Sequence, residues 1–335
     1  MEFFKLLLLP FSWLYGMAVY FRNKAYDLGY FHSQEASLPA IVIGNLNTGG
    51  TGKTPHCILL SRCLSELDPA ILSRGYGRTT KGFREVKENS DGSEVGDEPL
   101  LYKRRTSNKV YVCEDRIEGI KQIKLEGHKG IVLLDDAFQH RKLIGDFNIL
   151  LIPASKPFWK DHYLPSGDLR DHRNQVMRAD AIIFTGFQGD QKEKLLLQAN
   201  VSKYSDSPLF WSETNSLDLI PAGQNAMKLT KDIILVTGIA KPGRVVNALP
   251  KEQNIIKHFK YRDHHSFQES DIEQWQAASR NHDATIVTTE KDWMRLKGHR
   301  KLAERTWLLP IDVEVSQLDK LIRCIHTHLG TAKKG

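Results

Sequence analysis

A glycine-rich loop between an apolar strand and a helix is the feature that most constrains how this chain can fold. Residues 44–55 read GNLNTGGTGKTP and follow directly on the apolar run 41–43. Glycines let backbone amides turn toward a triphosphate, the lysine reaches the β- and γ-phosphates, and the next threonine can ligate Mg²⁺. A ligand-free turn is disfavoured by the Gly-Lys-Thr spacing. The predicted nucleotide-binding residues are Asn47, Thr48, Gly49, Gly50, Thr51, Gly52, Lys53 and Thr54.

Short, continuous apolar runs recur after this loop. Runs of this kind, as opposed to alternating ones, are typical of a parallel sheet that is covered on both faces. A helix is predicted at 55–67, and strands are predicted at 41–43, 70–73, 110–113, 131–135, 147–152 and 180–185. The pattern predicts an α/β fold built on a P-loop NTPase-type parallel sheet.

A second series of apolar runs begins after the polar stretch 213–231. Its strands are predicted at the start of 232–240 and at 255–261, 284–289 and 306–309. A chain of 335 residues is long enough for about two domains. We therefore expect a phosphate-loop domain at 34–215 and a smaller C-terminal α/β lobe at 216–335.

Two adjacent carboxylates end the predicted strand at 131–135. A phosphate loop needs an acid at the tip of a neighbouring strand to organise its metal. Asp136 is the predicted Mg²⁺ ligand together with Thr54, and Asp135 is predicted to act in catalysis, although the residues alone leave open how the two acids divide these tasks. A solvated Asp-Asp turn is the alternative interpretation.

The charge, the cysteine content and the motifs of the sequence limit the classes of ligand and partner. The net charge of +7 favours an anionic partner, which is a nucleic acid, a phosphate-bearing substrate or an acidic membrane surface. The four cysteines form no CxxC pair, which disfavours a disulfide framework or a zinc site. The base-reading Asn-Lys-x-Asp signature of GTPases is missing from the sequence, so ATP is favoured over GTP.

The N-terminal residues 1–21 are apolar and rich in aromatic side chains, and Arg22 and Lys24 follow them. Lys5, Pro10 and Gly16 interrupt the run, which falls short of a spanning helix of about 20 apolar residues. Aromatic rings favour the headgroup boundary of a bilayer. We expect residues 1–33 to associate with a membrane; a buried helix that caps the domain is the alternative.

Several longer motifs make the sequence similar to one family. They are GNLNTGGTGKTP at 44–55, SRGYGR at 73–78, VGDEP at 95–99, DDAFQHR at 135–141, LPSGDLR at 164–170, FKYRDHHSF at 259–267 and TTEKD at 288–292. In this order they resemble the tetraacyldisaccharide 4'-kinase family, from the N-terminus to about residue 295. Ala137 replaces a usual glycine, and Asp171 a more usual glutamate.

The resemblance implies an enzyme of lipid A biosynthesis. Such an enzyme uses ATP and Mg²⁺ to phosphorylate the 4'-hydroxyl of a tetraacylated glucosamine disaccharide 1-phosphate, which gives lipid IVA. It also implies a monotopic protein at the cytoplasmic face of the inner membrane of Gram-negative bacteria, in contact with inner-membrane lipids. No nucleic acid and no obligate protein partner are expected.

The resemblance also assigns roles to single residues. Asp97 matches the base that accepts the proton of the sugar hydroxyl, and His264 matches its partner. Without the family, Asp97 would be interpreted as a helix N-cap. Arg74 and Arg170 are the preferred contacts to substrate phosphate, because a guanidinium matches phosphate oxygens in pairs. The full predicted substrate set is Arg74, His140, Arg141, Arg170 and Asp171.

Two other classes remain open on the residues alone. A membrane-associated P-loop switch or metallochaperone-type protein would carry Cys and His ligands or a GTP signature. A nucleic-acid-dependent ATPase would interleave aromatic and basic residues, whereas aromatic residues here concentrate near the N-terminus.

Overall fold

The computed structural model describes residues 7–240, 242–263, 265–296 and 300–332. The predicted catalytic residue His264 lies outside the described residues. The strands are β1 (Gln34–Glu35), β2 (Ala40–Gly44), β3 (Ala70–Ser73), β4 (Arg84–Glu85), β5 (Val110–Val112), β6 (Val132–Asp135), β7 (Leu143–Ile144), β8 (Phe147–Pro153), β9 (Ala181–Thr185), β10 (Leu209–Ser216), β11 (Ile220–Pro221), β12 (Asp232–Thr237), β13 (Asn254–Lys260), β14 (Thr285–Thr289), β15 (Thr306–Leu309) and β16 (Ile311–Val315).

Helices connect these strands. They are α1 (Leu9–Asp27), α2 (Lys53–Cys63), α3 (Gly92–Val95), α4 (Asp97–Arg105), α5 (Arg116–Leu125), α6 (Gln191–Val201), α7 (Pro242–Ala248), α8 (Glu269–His282), α9 (Glu290–Met294), α10 (Arg300–Ala303) and α11 (Leu318–Ala332). The helix predicted at 55–67 corresponds to α2 and a following 3₁₀ turn at Ser65–Leu67.

The larger sheet has nine strands in the order β16-β10-β9-β8-β2-β6-β3-β5-β4. Its inner strands run parallel, and the edge strands β4 and β16 are antiparallel to their neighbours. Strand β2 shows why the apolar runs are continuous. Ile41 and Ile43 belong to one buried cluster, and Ala40 and Val42 belong to another. Because both faces of the sheet are covered, the predicted α/β class is confirmed.

The second sheet has five strands in the order β11-β15-β14-β12-β13 and is parallel except at β11. Its strands agree closely with the predicted runs. The polypeptide then returns to the first sheet, because β16 pairs with β10 and the ring of His328 on α11 lies 5.5 Å from that of Phe147 on β8. The lobe predicted at 216–335 therefore contributes its last strand and helix to the neighbouring domain.

Helix α1 packs with its polar side inward. Ser12, Gly16 and Asn23 are buried, whereas Trp13 and Phe21 are 74% and 66% exposed. A side chain at Gly16 would come within 2.8 Å of the Tyr163 ring, which explains the glycine at this close approach. No helix in the described part of the chain combines the length and the apolar character needed to cross a membrane.

Candidate active site

The phosphate loop turns into α2 at Gly52, whose φ of +87° is suited to glycine. Lys53 and Thr54 form the first helical positions and are half-buried, while Thr48, Gly49 and Gly50 are exposed. The next residue, a proline, is tolerated because amides in the first turn have no intrahelical partner. The helix start thus offers free amides to an anion.

Side chains at the beginning of the loop are held by the protein. Asn47 is buried and donates from Nδ2 to Asp161 Oδ2 at 2.8 Å, and the Thr48 amide donates to the Asp168 carbonyl at 2.7 Å. Thr51 is also buried, and its Oγ1 accepts from Asn45 Nδ2 at 2.7 Å. The predicted nucleotide residues Asn47 and Thr51 therefore shape the loop through their side chains.

His56 supports the loop from within α2. Burial lowers its pKa to about 4, so the imidazole is neutral at pH 7. Nδ1 lies 2.7 Å from the Gly52 carbonyl oxygen, which requires a proton on Nδ1, and Nε2 can then accept from the Ser212 hydroxyl at 2.9 Å. The end of the phosphate loop is thereby tied to β10, a contact that sequence analysis missed.

Asp135 and Asp136 follow β6 beside the loop, as predicted. Lys53 Nζ lies 3.6 Å from Asp136 Oδ1, and the Arg170 guanidinium binds both carboxylate oxygens of Asp136. Asp135 accepts from Ser73 Oγ at 3.0 Å through Oδ2. The structure therefore brings together three predicted elements: the loop lysine, the strand-end acids and Arg170.

The two acids have opposite electrostatic environments. Burial and the neighbouring Asp136 charge raise the pKa of Asp135 to about 6, against the effect of Lys53. Burial would also raise the pKa of Asp136, but Lys53 and Arg170 outweigh it and hold that pKa well below the usual range. A pair of acids with separated pKa values is typical of functional sites.

The carboxylate oxygens of these acids are suitable ligands for Mg²⁺. Oδ1 of Asp135 is buried and has no hydrogen-bond partner among the described residues. The described residues contain no group of three or more His, Cys, Asp or Glu side chains that could hold a metal. Mg²⁺ suits such a site because it takes one or two carboxylates and fills its shell with phosphate oxygens and water. The free oxygen lies on Asp135, whereas Asp136 is engaged by Arg170.

Basic side chains also lie close to the acid pair. Arg116, at the start of α5, is 2% exposed and donates to the Asp135 and Cys113 carbonyls at 3.2 and 3.0 Å. Burial lowers its pKa against the effect of both acids, and nearby Arg74 lowers it further. Burial and Arg116 lower the pKa of His140 to about 4. Sequence analysis missed Arg116, which begins the helix that follows strand β5.

Two other predicted substrate residues hold α1 instead. Asp171 is fully buried and accepts from Asn23 Nδ2 at 2.8 Å and from Gln139 Nε2 at 3.4 Å. Arg141 donates to the Asn23 carbonyl at 3.1 Å and pairs with Asp27 at 2.8 Å. Both side chains connect the N-terminal helix to the 135–141 motif, so a substrate contact by either one stays a prediction.

Asp97 lies at the boundary between the lobes. It begins α4, is 8% exposed, and its Oδ2 lies 3.2 Å from Arg295 Nε of the second lobe. Next to it, Glu98 pairs with Lys291 Nζ at 2.8 Å, and the same amine lies 3.7 Å from Asp263. Asp263, which precedes His264 in the sequence, thus lies near this boundary.

The second lobe also contacts the phosphate loop. Arg244 Nη1 on α7 donates to the Gly50 carbonyl at 3.3 Å. The second lobe thus contacts both the phosphate loop, at Gly50, and Asp97. This fold and this site define a P-loop nucleotide-dependent phosphotransferase.

Comparison with known proteins identifies the family. The family described as tetraacyldisaccharide-1-P 4'-kinase matches residues 4–330. The tetraacyldisaccharide 4'-kinase of Cytophaga hutchinsonii is 37% identical over 346 residues, covering 98% of this chain and 97% of that protein, and the protein of that name from Bacteroides thetaiotaomicron is 36% identical over 92% of this chain and 89% of its own length. The chain therefore belongs to the tetraacyldisaccharide 4'-kinase family, as its motifs predicted.

A solved structure has the same fold. The crystal structure of the "apo" form of LpxK from Aquifex aeolicus in complex with ATP superposes with a TM-score of 0.77 at 28% identity, covering 97% of this chain and 99% of that one. The mixed α/β architecture with parallel sheets is thus shared by a nucleotide-bound relative.

Proposed function

We propose that this chain transfers the γ-phosphoryl group of ATP to the 4'-hydroxyl of a tetraacylated glucosamine disaccharide 1-phosphate. The observation that carries the proposal is the meeting of Lys53, at the helix end of the phosphate loop, with the Asp135–Asp136 pair, 3.6 Å from Lys53 Nζ to Asp136. Family membership supplies the acceptor. The bond to the β–γ bridging oxygen breaks, and the sugar oxygen forms the new bond to phosphorus.

Each side chain then has a task in the transfer. Lys53 and the loop amides hold the phosphate oxygens, where charge spreads in the transition state. Asp97 takes the proton of the 4'-hydroxyl, with His264 as its partner. Arg170 keeps Asp136 ionised and in place. Thr54, Asp135 and Asp136 would hold Mg²⁺, which when bound neutralises phosphate charge.

The basic rim suits the 1-phosphate end of the acceptor. Arg74 is exposed, and Arg116 and His140 lie behind it. A guanidinium binds phosphate oxygens in pairs, so we assign Arg74 to the substrate phosphate. The neutral imidazole of His140 can donate to a sugar or phosphate oxygen without adding charge.

Transfer of labelled phosphate tests the proposal. Purified protein, [γ-³²P]ATP, Mg²⁺ and the tetraacyldisaccharide 1-phosphate in detergent should give a labelled lipid, and Lys53→Ala should abolish the label while the protein stays folded. Lys81→Ala, a change of the same kind at an exposed lysine, is the control. Near-normal transfer by folded Lys53→Ala would refute the ATP site.

We also propose that the enzyme acts at the cytoplasmic face of the inner membrane, held there by α1. The support is the orientation of this helix, whose exposed side carries Phe11, Trp13, Leu14 and Phe21. A lipid surface would cover this apolar area, and aromatic rings favour its boundary. Arg22 and Lys24, near the end of α1, can contact acidic headgroups.

Vesicle co-sedimentation tests the location. Trp13→Asp with Phe21→Asp should release the protein from acidic vesicles, because both side chains are exposed and their loss leaves the docked side of α1 intact. Leu195→Asp with Leu196→Asp on α6 makes the same kind of change at other exposed positions and should leave sedimentation unchanged. Equal sedimentation of both variants would place the membrane contact elsewhere.

A further inference from the structure

Arg295 reaches from the second lobe to the acid that begins α4. Its Nε lies 3.2 Å from Asp97 Oδ2, and the two side chains are only 10% and 11% exposed. Partial burial weakens solvent screening, so a pair of this kind restrains both side chains more than a surface pair does.

The guanidinium itself is fixed by its own lobe. Nη1 donates to the His265 carbonyl at 2.9 Å, Nη2 donates to the Gly238 carbonyl at 3.0 Å, and Nη2 pairs with the buried Asp292. The ring of Phe267 lies 5.2 Å from the guanidinium carbon. Hydrogen bonds at both Nη atoms fix the plane of the guanidinium. Its Nε then lies 3.2 Å from Asp97 Oδ2 as an ion pair, and among the described residues this buried Nε has no hydrogen-bond partner.

The backbone of Asp97 is fixed from the first lobe. Gly96 precedes it with φ of +93°, and a side chain on Gly96 would come within 3.1 Å of the Tyr76 carbonyl. The next residue, Glu98, pairs with Lys291 across the boundary. The backbone on both sides of Asp97 is therefore restrained, and Arg295 contacts one oxygen of its carboxylate.

We propose that Arg295 is a positioning residue for phosphoryl transfer: it holds Asp97 Oδ2 so that the carboxylate faces the acceptor hydroxyl. The inference rests on the proposed function, in which Asp97 accepts the proton of the 4'-hydroxyl. According to this inference, a residue of the second lobe positions the catalytic base, although the phosphate loop and the acid pair belong to the first lobe. A misplacement of about 1 Å can lower a rate about 100-fold.

Steady-state kinetics separate positioning from binding. Arg295→Gln should lower kcat by roughly 10- to 100-fold and change the KM for ATP by less than about threefold, because the ATP loop lies in the other lobe. Arg295→Lys keeps a cation for Asp97 and Asp292 and should recover part of kcat. Arg280→Gln, at an exposed arginine on α8 of the same lobe, should match the wild type. A kcat within twofold of wild type for Arg295→Gln would overturn the inference.

A double-mutant cycle with Asp97→Asn shows whether Arg295 acts through Asp97. In the Asp97→Asn background, Arg295→Gln should lower kcat by less than about a further twofold, because residues that act as a unit give non-additive losses of rate. Multiplicative losses would overturn the inference. If Arg295→Gln unfolds, as thermal unfolding would reveal, Arg295→Met, which also removes the positive charge, takes its place in the cycle under the same two criteria.

The outcomes also separate this inference from the proposed function. A wild-type chain that transfers no phosphate to the lipid refutes the proposed function. An active wild type with an unaffected Arg295→Gln variant refutes only the role of Arg295. Wild-type rates for Asp97→Asn remove Asp97 as the base and overturn the inference with it.

Discussion

Asp135 is a buried acid beside a second acid, and its replacement by asparagine should stabilise the protein at neutral pH. Its pKa rises from 3.8 for an ordinary aspartate to about 6. A change of one unit in pKa corresponds to about 1.4 kcal/mol. Ionising Asp135 therefore costs the folded state about 3 kcal/mol of unfolding free energy. Asparagine keeps the shape and can still accept from Ser73, but it carries no charge.

The sign of the pH dependence follows from proton binding. Between pH 3.8 and about 6 the folded protein holds a proton on Asp135 that the unfolded chain has lost. Stability falls with rising pH when the folded state binds more protons. The destabilisation is thus absent below pH 3.8 and complete above about pH 6. The advantage of Asp135→Asn should grow across this window and stay constant at higher pH.

Urea unfolding between pH 4 and pH 8, with EDTA and without nucleotide, measures this difference. Asp136→Asn is the matched control of opposite sign. Lys53 and Arg170 hold the pKa of Asp136 low, so its charge stabilises the fold at neutral pH, and this contribution is lost as the pH falls. Asp136→Asn should therefore be less stable than wild type at pH 7. An Asp135→Asn variant whose stability follows wild type at every pH would refute the reasoning.

Three further predictions concern the anchor of α1, the phosphate loop and the predicted catalytic pair. Asp171→Ala should lower the unfolding free energy by about 3 kcal/mol, because it leaves Asn23 Nδ2 and the His172 amide without the acceptor they have in the folded protein. A loss below about 1 kcal/mol in urea unfolding would contradict this anchor role. His56→Leu should weaken ATP binding about tenfold in calorimetry, because one hydrogen bond to the Gly52 carbonyl is worth about 1.4 kcal/mol, and unchanged affinity would argue against it. Asp97→Ala and His264→Ala should each lower kcat by about 100-fold or more, and the double variant should be little worse than the poorer single one; fully multiplicative losses would mean two independent roles.

The fold was largely predictable because each strand of a parallel sheet covered on both faces is a short apolar run that can be recognised locally in the sequence. Strands buried on both faces need continuous apolar residues, and β2 and β6 show this directly. The return of β16 to the first sheet was not predictable. An edge strand pairs with whichever strand the folded chain presents, and the mixed burial along Ile311–Val315 does not indicate which strand that is.

The site was predictable where neighbouring residues share a task. Lys53 and the acid pair were expected at adjoining strand ends, and the structure places them together. Arg116 and His56 were missed because each is a single polar residue without a surrounding pattern. The contacts of Asp171 and Arg141 with α1 were not predicted, and their contact with substrate stays a prediction.

The sequence by itself determined the chemistry of the phosphate loop, the positions along the chain of most parallel strands, and the family. Each of these is written in consecutive residues, since a loop needs fixed spacing and a buried strand needs apolar neighbours. The tertiary structure alone decided that α1 docks through Asn23 with its aromatic residues outward, and that Arg295 meets Asp97. Hydrogen bonds and ion pairs depend on distance between atoms, and only the folded arrangement of the elements brings residues so far apart in the chain within 3 to 4 Å.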